Sequence, residues 1–191
     1  MPFGLGFFAT AGAGAGAAGS FDLLETQVLA SPTSSVTFSS LSTYAATYQH
    51  LQIRYTTRSA RATDSSFTKM IINGDSSANY SEHFMRGNGT SIQAVGNTNV
   101  SYIHFGDTPA ANATANVFNA GVFDLLDAFE TTKFKTTRNF SGVYGGGITY
   151  CQLWSGNWRN TNAVSSFTIS DFFGANLATG SRFSLYGSKV A

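Results

Sequence analysis

The chain has 191 residues, of which only 11% are charged, with 11 Lys and Arg set against 10 Asp and Glu. So even a balance leaves no electrostatic footprint for nucleic acid or for an anionic membrane surface. The single cysteine, Cys151, excludes an intrachain disulfide framework and a thiolate zinc cluster, while 17 Phe and 8 Tyr point to an aromatic, strand-rich interior.

The first predicted element is an uncharged Ala/Gly-rich arm over residues 1–20, with an apolar tip of Phe3, Leu5, Phe7 and Phe8 and a small-residue stalk from Ala9 to Gly19. Gly14 to Gly19 spells G-x-G-x-x-G, but a dinucleotide loop needs a strand before it, a helix after it and an acidic residue about 20 positions on. None of these is present. A secretory signal places positive charge before its apolar core, whereas the first basic residue here is Arg54. A spanning helix is disfavoured by Pro2, by six glycines and by the lack of basic flanks. Ala and Gly bury too little surface to offset about 1–2 kcal/mol of ordering per residue. The arm is therefore expected to lie against a partner, with folding back on its own body as the plainer alternative.

From Phe21 onward the pattern has a period of two. FDLLETQVL and SSVTFSS open the series, and in HLQIRYTTR the residues Leu51, Ile53 and Tyr55 alternate with His50, Gln52 and Arg54. A helical turn is expected at Ser42 to Gln49. Strand candidates continue at SFTKMIIN, YSEHFMR, NVSYIHFG, NVFNAGVFDLLDAF, TKFKTTRNFSG, ITYCQLWSGNW, VSSFTIS and SRFSLYG, about eleven in all. Turns are predicted at Asn73-Gly74-Asp75, Gly87-Asn88-Gly89, Gly96-Asn97 and Gly145-Gly146-Gly147, where positive φ is cheap. The fold class is all-β: one antiparallel β-sandwich or jelly roll over 21–191, preceded by the arm.

Catalytic patterns are missing. There is no G-x-S-x-G elbow, H-E-x-x-H, P-loop lysine motif or C-x-x-C. His50, His83 and His104 fall on separate strands without ligand spacing, so neither a metal site nor a cofactor is expected. Asp124 and Asp127 are the nearest carboxylate pair, yet in a strand they point to opposite faces and suit a capped turn better than a glycosidase dyad. Trp154 and Trp158 are the candidate glycan-stacking residues, although sharing one strand face they suit a core equally well. Five N-x-S/T matches follow from composition and do not argue for glycosylation.

The segments GFFATAGAGAGAAGSFDLLET, SSVTFSSL, YQHLQIRY, INGDSSANYS, DLLDAFETTKFKTTR and GSRFSLYGSK resemble a group of small virion proteins of tailed bacteriophages, particularly those of cyanobacteria and other aquatic hosts. The resemblance runs almost end to end. It implies a β-sandwich structural component on the virion surface without enzymatic activity, either a capsid decoration (cement) protein or a tail-fibre component. The leading expectation is a homotrimeric capsid decoration protein. Its arm, through Phe3, Leu5, Phe7 and Phe8, would bind the major capsid protein or another virion protein, with no nucleic-acid or membrane partner. The alternative is a tail-associated adhesin binding host glycans, and a particle-borne hydrolase is a weaker third.

Overall fold

A computed structural model describes residues 20–145 and 147–189. Apart from Ser20, the expected arm and its tip residues Phe3, Leu5, Phe7 and Phe8 lie outside the described residues. The described chain forms β1 (Phe21–Val28), β2 (Ser35–Phe38), β3 (Tyr48–Thr57), β4 (Ser65–Ile72), β5 (Tyr80–Gly87) and β6 (Ile92–Val100). These are followed by β7 (Ile103–Pro109), β8 (Asn119–Leu126), β9 (Lys135–Gly145), β10 (Ile148–Trp158), β11 (Phe167–Asp171) and β12 (Arg182–Lys189). The helical turn is shorter than expected, a single 3-10 turn at Leu41–Tyr44.

Two antiparallel sheets result, one of eight strands in the order β1-β12-β3-β8-β9-β10-β5-β6 and one of four in the order β2-β11-β4-β7. The pairs β1·β12, β2·β11, β3·β8 and β4·β7 nest inside one another along the sequence. This is the double Greek-key wrapping of a jelly roll, as the alternating pattern and turn spacing lead one to expect. Two hairpins, β5–β6 and β9–β10, are inserted into it. They pair with each other through β10 and β5 and widen the larger sheet beyond β8.

The core between the sheets is strongly aromatic. Phe38, Phe105, Phe123, Phe167 and Phe183 are buried with Ile53, Tyr55, Met70, Ile169 and Leu185. The period-two pattern of β3 holds at its apolar positions, with Leu51, Ile53 and Tyr55 inside. Deep in this layer the Tyr55 hydroxyl donates to the Phe105 carbonyl at 2.7 Å and accepts from Asn139 Nδ2 at 3.0 Å. Burial pushes its pKa up to about 12. Gly121 makes room for that ring, because a Cβ there would stand 2.5 Å from the Tyr55 hydroxyl oxygen.

Turn chemistry is read correctly at Asn73-Gly74, where both residues have positive φ (52° and 69°) and the Asp75 amide closes on the Ile72 carbonyl at 2.9 Å. It is misread at Gly96-Asn97. Those residues lie inside β6, paired with His83 and Glu82. The segment expected as one strand, NVSYIHFG, is instead broken between β6 and β7, with Asn99 at φ 58°. That left-handed residue is a bulge near the end of β6, and the chain crosses from the larger sheet to the smaller one just beyond it, at Ser101 and Tyr102.

Candidate functional site: an apolar belt on the widened sheet

The inner face of the widened sheet takes both tryptophans. Trp154 and Trp158 are 4% and 1% exposed, so neither presents a ring to a saccharide and both serve as core. Trp154 stacks on His104 at 4.1 Å and 10° and donates Nε1 to Gln152 at 2.9 Å. Trp158 donates Nε1 to Asp75 at 2.8 Å. Asn79 first and Trp158 second, each donating to the Asp75 carboxylate, hold its pKa down at about 2.

Beside Trp154 lies a closed polar cluster. Glu82 accepts from the His104 backbone N–H at 2.7 Å, and Arg86 Nη1 donates to Asp107 Oδ2 at 2.7 Å. Burial raises the Asp107 pKa against the opposing charge of Arg86, which itself lies 4.5 Å over the Tyr150 ring. With Glu82, His104 and Asp107 no more than 9% exposed, these groups face other protein groups rather than an open cleft. Lys135 is likewise enclosed, donating to the carbonyls of Glu130, Lys133 and Thr161, and burial lowers its pKa.

The tempting acids have structural partners. Asp124 meets Arg138 at 2.7 Å and accepts from Gln52 at 2.8 Å, whereas Asp127 sits in the turn after β8 with φ 49° and meets Lys133 at 2.7 Å. Among the histidines, His50 Nδ1 accepts from the Asp127 amide at 2.8 Å, and His83 is exposed on β5. Among the described residues no group of three or more His, Cys, Asp or Glu could hold a metal ion. None of the described helices is long and apolar enough to cross a membrane.

What stands out is the outer face of the eight-stranded sheet. In register across five strands, Val122 of β8 faces Phe140 of β9, Phe140 faces Leu153 of β10, Leu153 faces Met85 of β5, and Met85 faces Ala94 of β6. Their exposures are large for apolar residues: Phe140 60%, Met85 55% and Leu153 48%. The next outward row runs through Ala120, Gly142, Cys151 and Gly87 to Ile92, which is 79% exposed. On the other side the row turns polar, through Asp124, Arg138, Ser155 and His83. Phe140 forms a ridge between two shallow depressions, one bounded by Arg54, Val122 and Tyr186, the other by Met85, Ile92 and Leu153.

Most of this belt is carried by the two inserted hairpins. Each large apolar side chain contributes about 1.5–3 kcal/mol on full burial, so a half-exposed row leaves a substantial association energy unspent. The sequence contained the signal as apolar residues on both phases of β9 and β10, with Phe140 and Leu153 out of phase with Val143 and Trp154. Only the register shows that they align. No family model matches the chain, and no curated protein matches it in sequence.

Proposed function

We propose that this chain is a structural protein of a bacteriophage virion, a decoration (cement) protein of the capsid surface that acts by burying area at subunit junctions and not by catalysis. The apolar belt carries this reading. A jelly roll widened by two inserted hairpins, with those hairpins bearing an aligned apolar row rimmed by polar residues, is built to be covered by protein. The fold alone does not discriminate, because jelly rolls serve in viral capsids and in lectins alike. The belt supports assembly over sugar binding, since both tryptophans face inward. Symmetric repetition multiplies modest contacts per copy into a stiff shell.

A low-resolution map of the particle that carries this chain tests the reading. The belt is expected against a neighbouring subunit, and Phe140→Asp is expected to abolish co-sedimentation with particles. A belt facing solvent, or unchanged particle binding by that variant, refutes it. Saturable binding of a defined glycan by the isolated protein would favour the adhesin instead.

A further inference from the structure

The two edges of the eight-stranded sheet are built differently. β1 carries Asp22, Glu25 and a register shift between Leu23 and Glu25, the charges and irregularity that discourage a further strand. Asp22 is also engaged by Lys189 at 2.8 Å and by the Tyr48 hydroxyl at 3.0 Å. β6 carries no such charges, and its one irregularity is confined to its far end, where Asn99 bulges between Thr98 and Val100; from Ile92 to Thr98 its register with β5 is unbroken. Its nine residues, IQAVGNTNV, include no charge and no proline, and six of them are exposed. Among the described residues only β5 pairs with it. Its outward backbone groups thus form a ready template for another strand.

The sequence supplies a complementary strand. In FGLGFFATAGAGAGA, residues 3–17, the odd positions are Phe3, Leu5 and Phe7 followed by alanine at every odd position to Ala17. The even positions include Gly4, Gly6, Gly12, Gly14 and Gly16. Extended, this segment would put an unbroken apolar row on one face and, apart from Phe8 and Thr10, bare glycine backbone on the other. It is as uncharged as the edge it would meet.

Reach decides which copy it meets. Residues 1–20 lead into β1, at the opposite edge of the sheet from β6 and seven strand spacings away. At about 4.8 Å per spacing this is about 34 Å, which consumes about ten extended residues. Too few remain to lay residues 3–17 along β6 of the same copy. A neighbouring copy imposes no such limit.

We propose that residues 3–17 of one copy add as a strand to the β6 edge of a neighbouring copy, with Phe3, Leu5 and Phe7 continuing the belt beside Ile92 and Ala94. The proposal rests on reading the belt as an assembly surface and names the occupant of its outer end. Main-chain hydrogen bonds supply affinity and the alternate apolar side chains supply register. Because the donor and acceptor surfaces differ, the contact is heterologous, and repetition closes a ring or extends an array.

The full-length chain with photoreactive benzoyl-phenylalanine in place of Phe7 tests this. Irradiation is expected to give covalent dimers and higher species whose cross-links map to Ile92–Gly96 of a second copy. Ile92→Lys combined with Ala94→Lys, at two exposed positions, is expected to reduce their yield at least tenfold. Cross-links confined within one chain, or no cross-linked species between copies, overturn the proposal. Cross-links that reach Phe140 and Leu153 but not β6 also overturn strand addition, while leaving the belt intact as an assembly surface. Failure of the belt reading itself shows separately, as unchanged particle binding by Phe140→Asp.

Discussion

Replacing Arg86 by Met would leave Asp107 buried without its charge partner. The carboxyl is 1% exposed, Oδ2 accepts from Arg86 at 2.7 Å, and Oδ1 has no hydrogen-bond partner. Its pKa is already raised from 3.8 by burial, with Arg86 acting in the opposite direction. Losing the guanidinium raises it further. A carboxyl with a raised folded value gives stability that is complete below 3.8 and is lost as pH rises through the folded value, so the variant loses most at neutral pH. The loss has a ceiling, because the group can take up a proton. At pH 7 that ceiling is about 1.4 kcal/mol for each pH unit above the ordinary value of 3.8, or about 4 kcal/mol. At pH 4 it is about 0.6 kcal/mol by the same linkage.

Lost packing of the Arg86 stem on Tyr150 does not depend on pH and cancels in the comparison. Urea unfolding of wild type and Arg86→Met at pH 7 and pH 4 is therefore expected to show a larger stability loss at the higher pH, by an amount below the ceiling of about 4 kcal/mol because burial already raises the wild-type value. Adding Asp107→Asn should recover part of that loss. Equal losses at the two pH values would refute the account in which the Arg86 charge opposes the burial-raised pKa of Asp107.

Three further outcomes follow from the packing. Phe140→Ser removes about 120 Å² of exposed apolar surface, taking 60% of about 200 Å² for a Phe side chain. At about 25 cal/mol per Å² this weakens assembly by about 3 kcal/mol, roughly 100-fold in a sedimentation or light-scattering titration, while the monomer melts within a few degrees of wild type. Gly121→Ala brings a Cβ to 2.5 Å from the Tyr55 hydroxyl oxygen and 2.8 Å from Ser141 Cβ. It should cost about 1–3 kcal/mol in urea unfolding, and an unchanged midpoint would contradict the close approach. Trp158→Phe deletes one of the donors that hold Asp75 at about 2, so its titration by NMR should move up toward 3.8. The lowered value gives stability that is present above 3.8 and lost as pH falls toward 2, and the variant narrows that window.

Much of the fold was legible in the chain. Alternation at Leu51, Ile53 and Tyr55, and the positive-φ turn at Asn73-Gly74, are local consequences of side-chain period and backbone sterics, which any sheet containing them must respect. β6 was hidden because Gly96-Asn97 has the chemistry of a turn and the strand around it is exposed, with too few buried positions to show a period. At Trp154 and Trp158 the sequence showed only that the two share a face. Stacking of Trp154 on His104 of β7 makes that face the inner one, and this depends on a strand almost 50 residues earlier.

The belt lies at the same limit. Phe140, Leu153 and Met85 each occupy an ordinary strand position, and the pairing of β9 with β10 and of β10 with β5 sets them in one row. By itself the sequence determined an all-β body with aromatic strands, and an uncharged segment ahead of it. The tertiary structure decided the rest, the burial of the tryptophans, the outward row and the β6 edge. Face and register are properties of strands paired over long sequence distances, and a one-residue slip in any pairing would exchange the inner and outer sets.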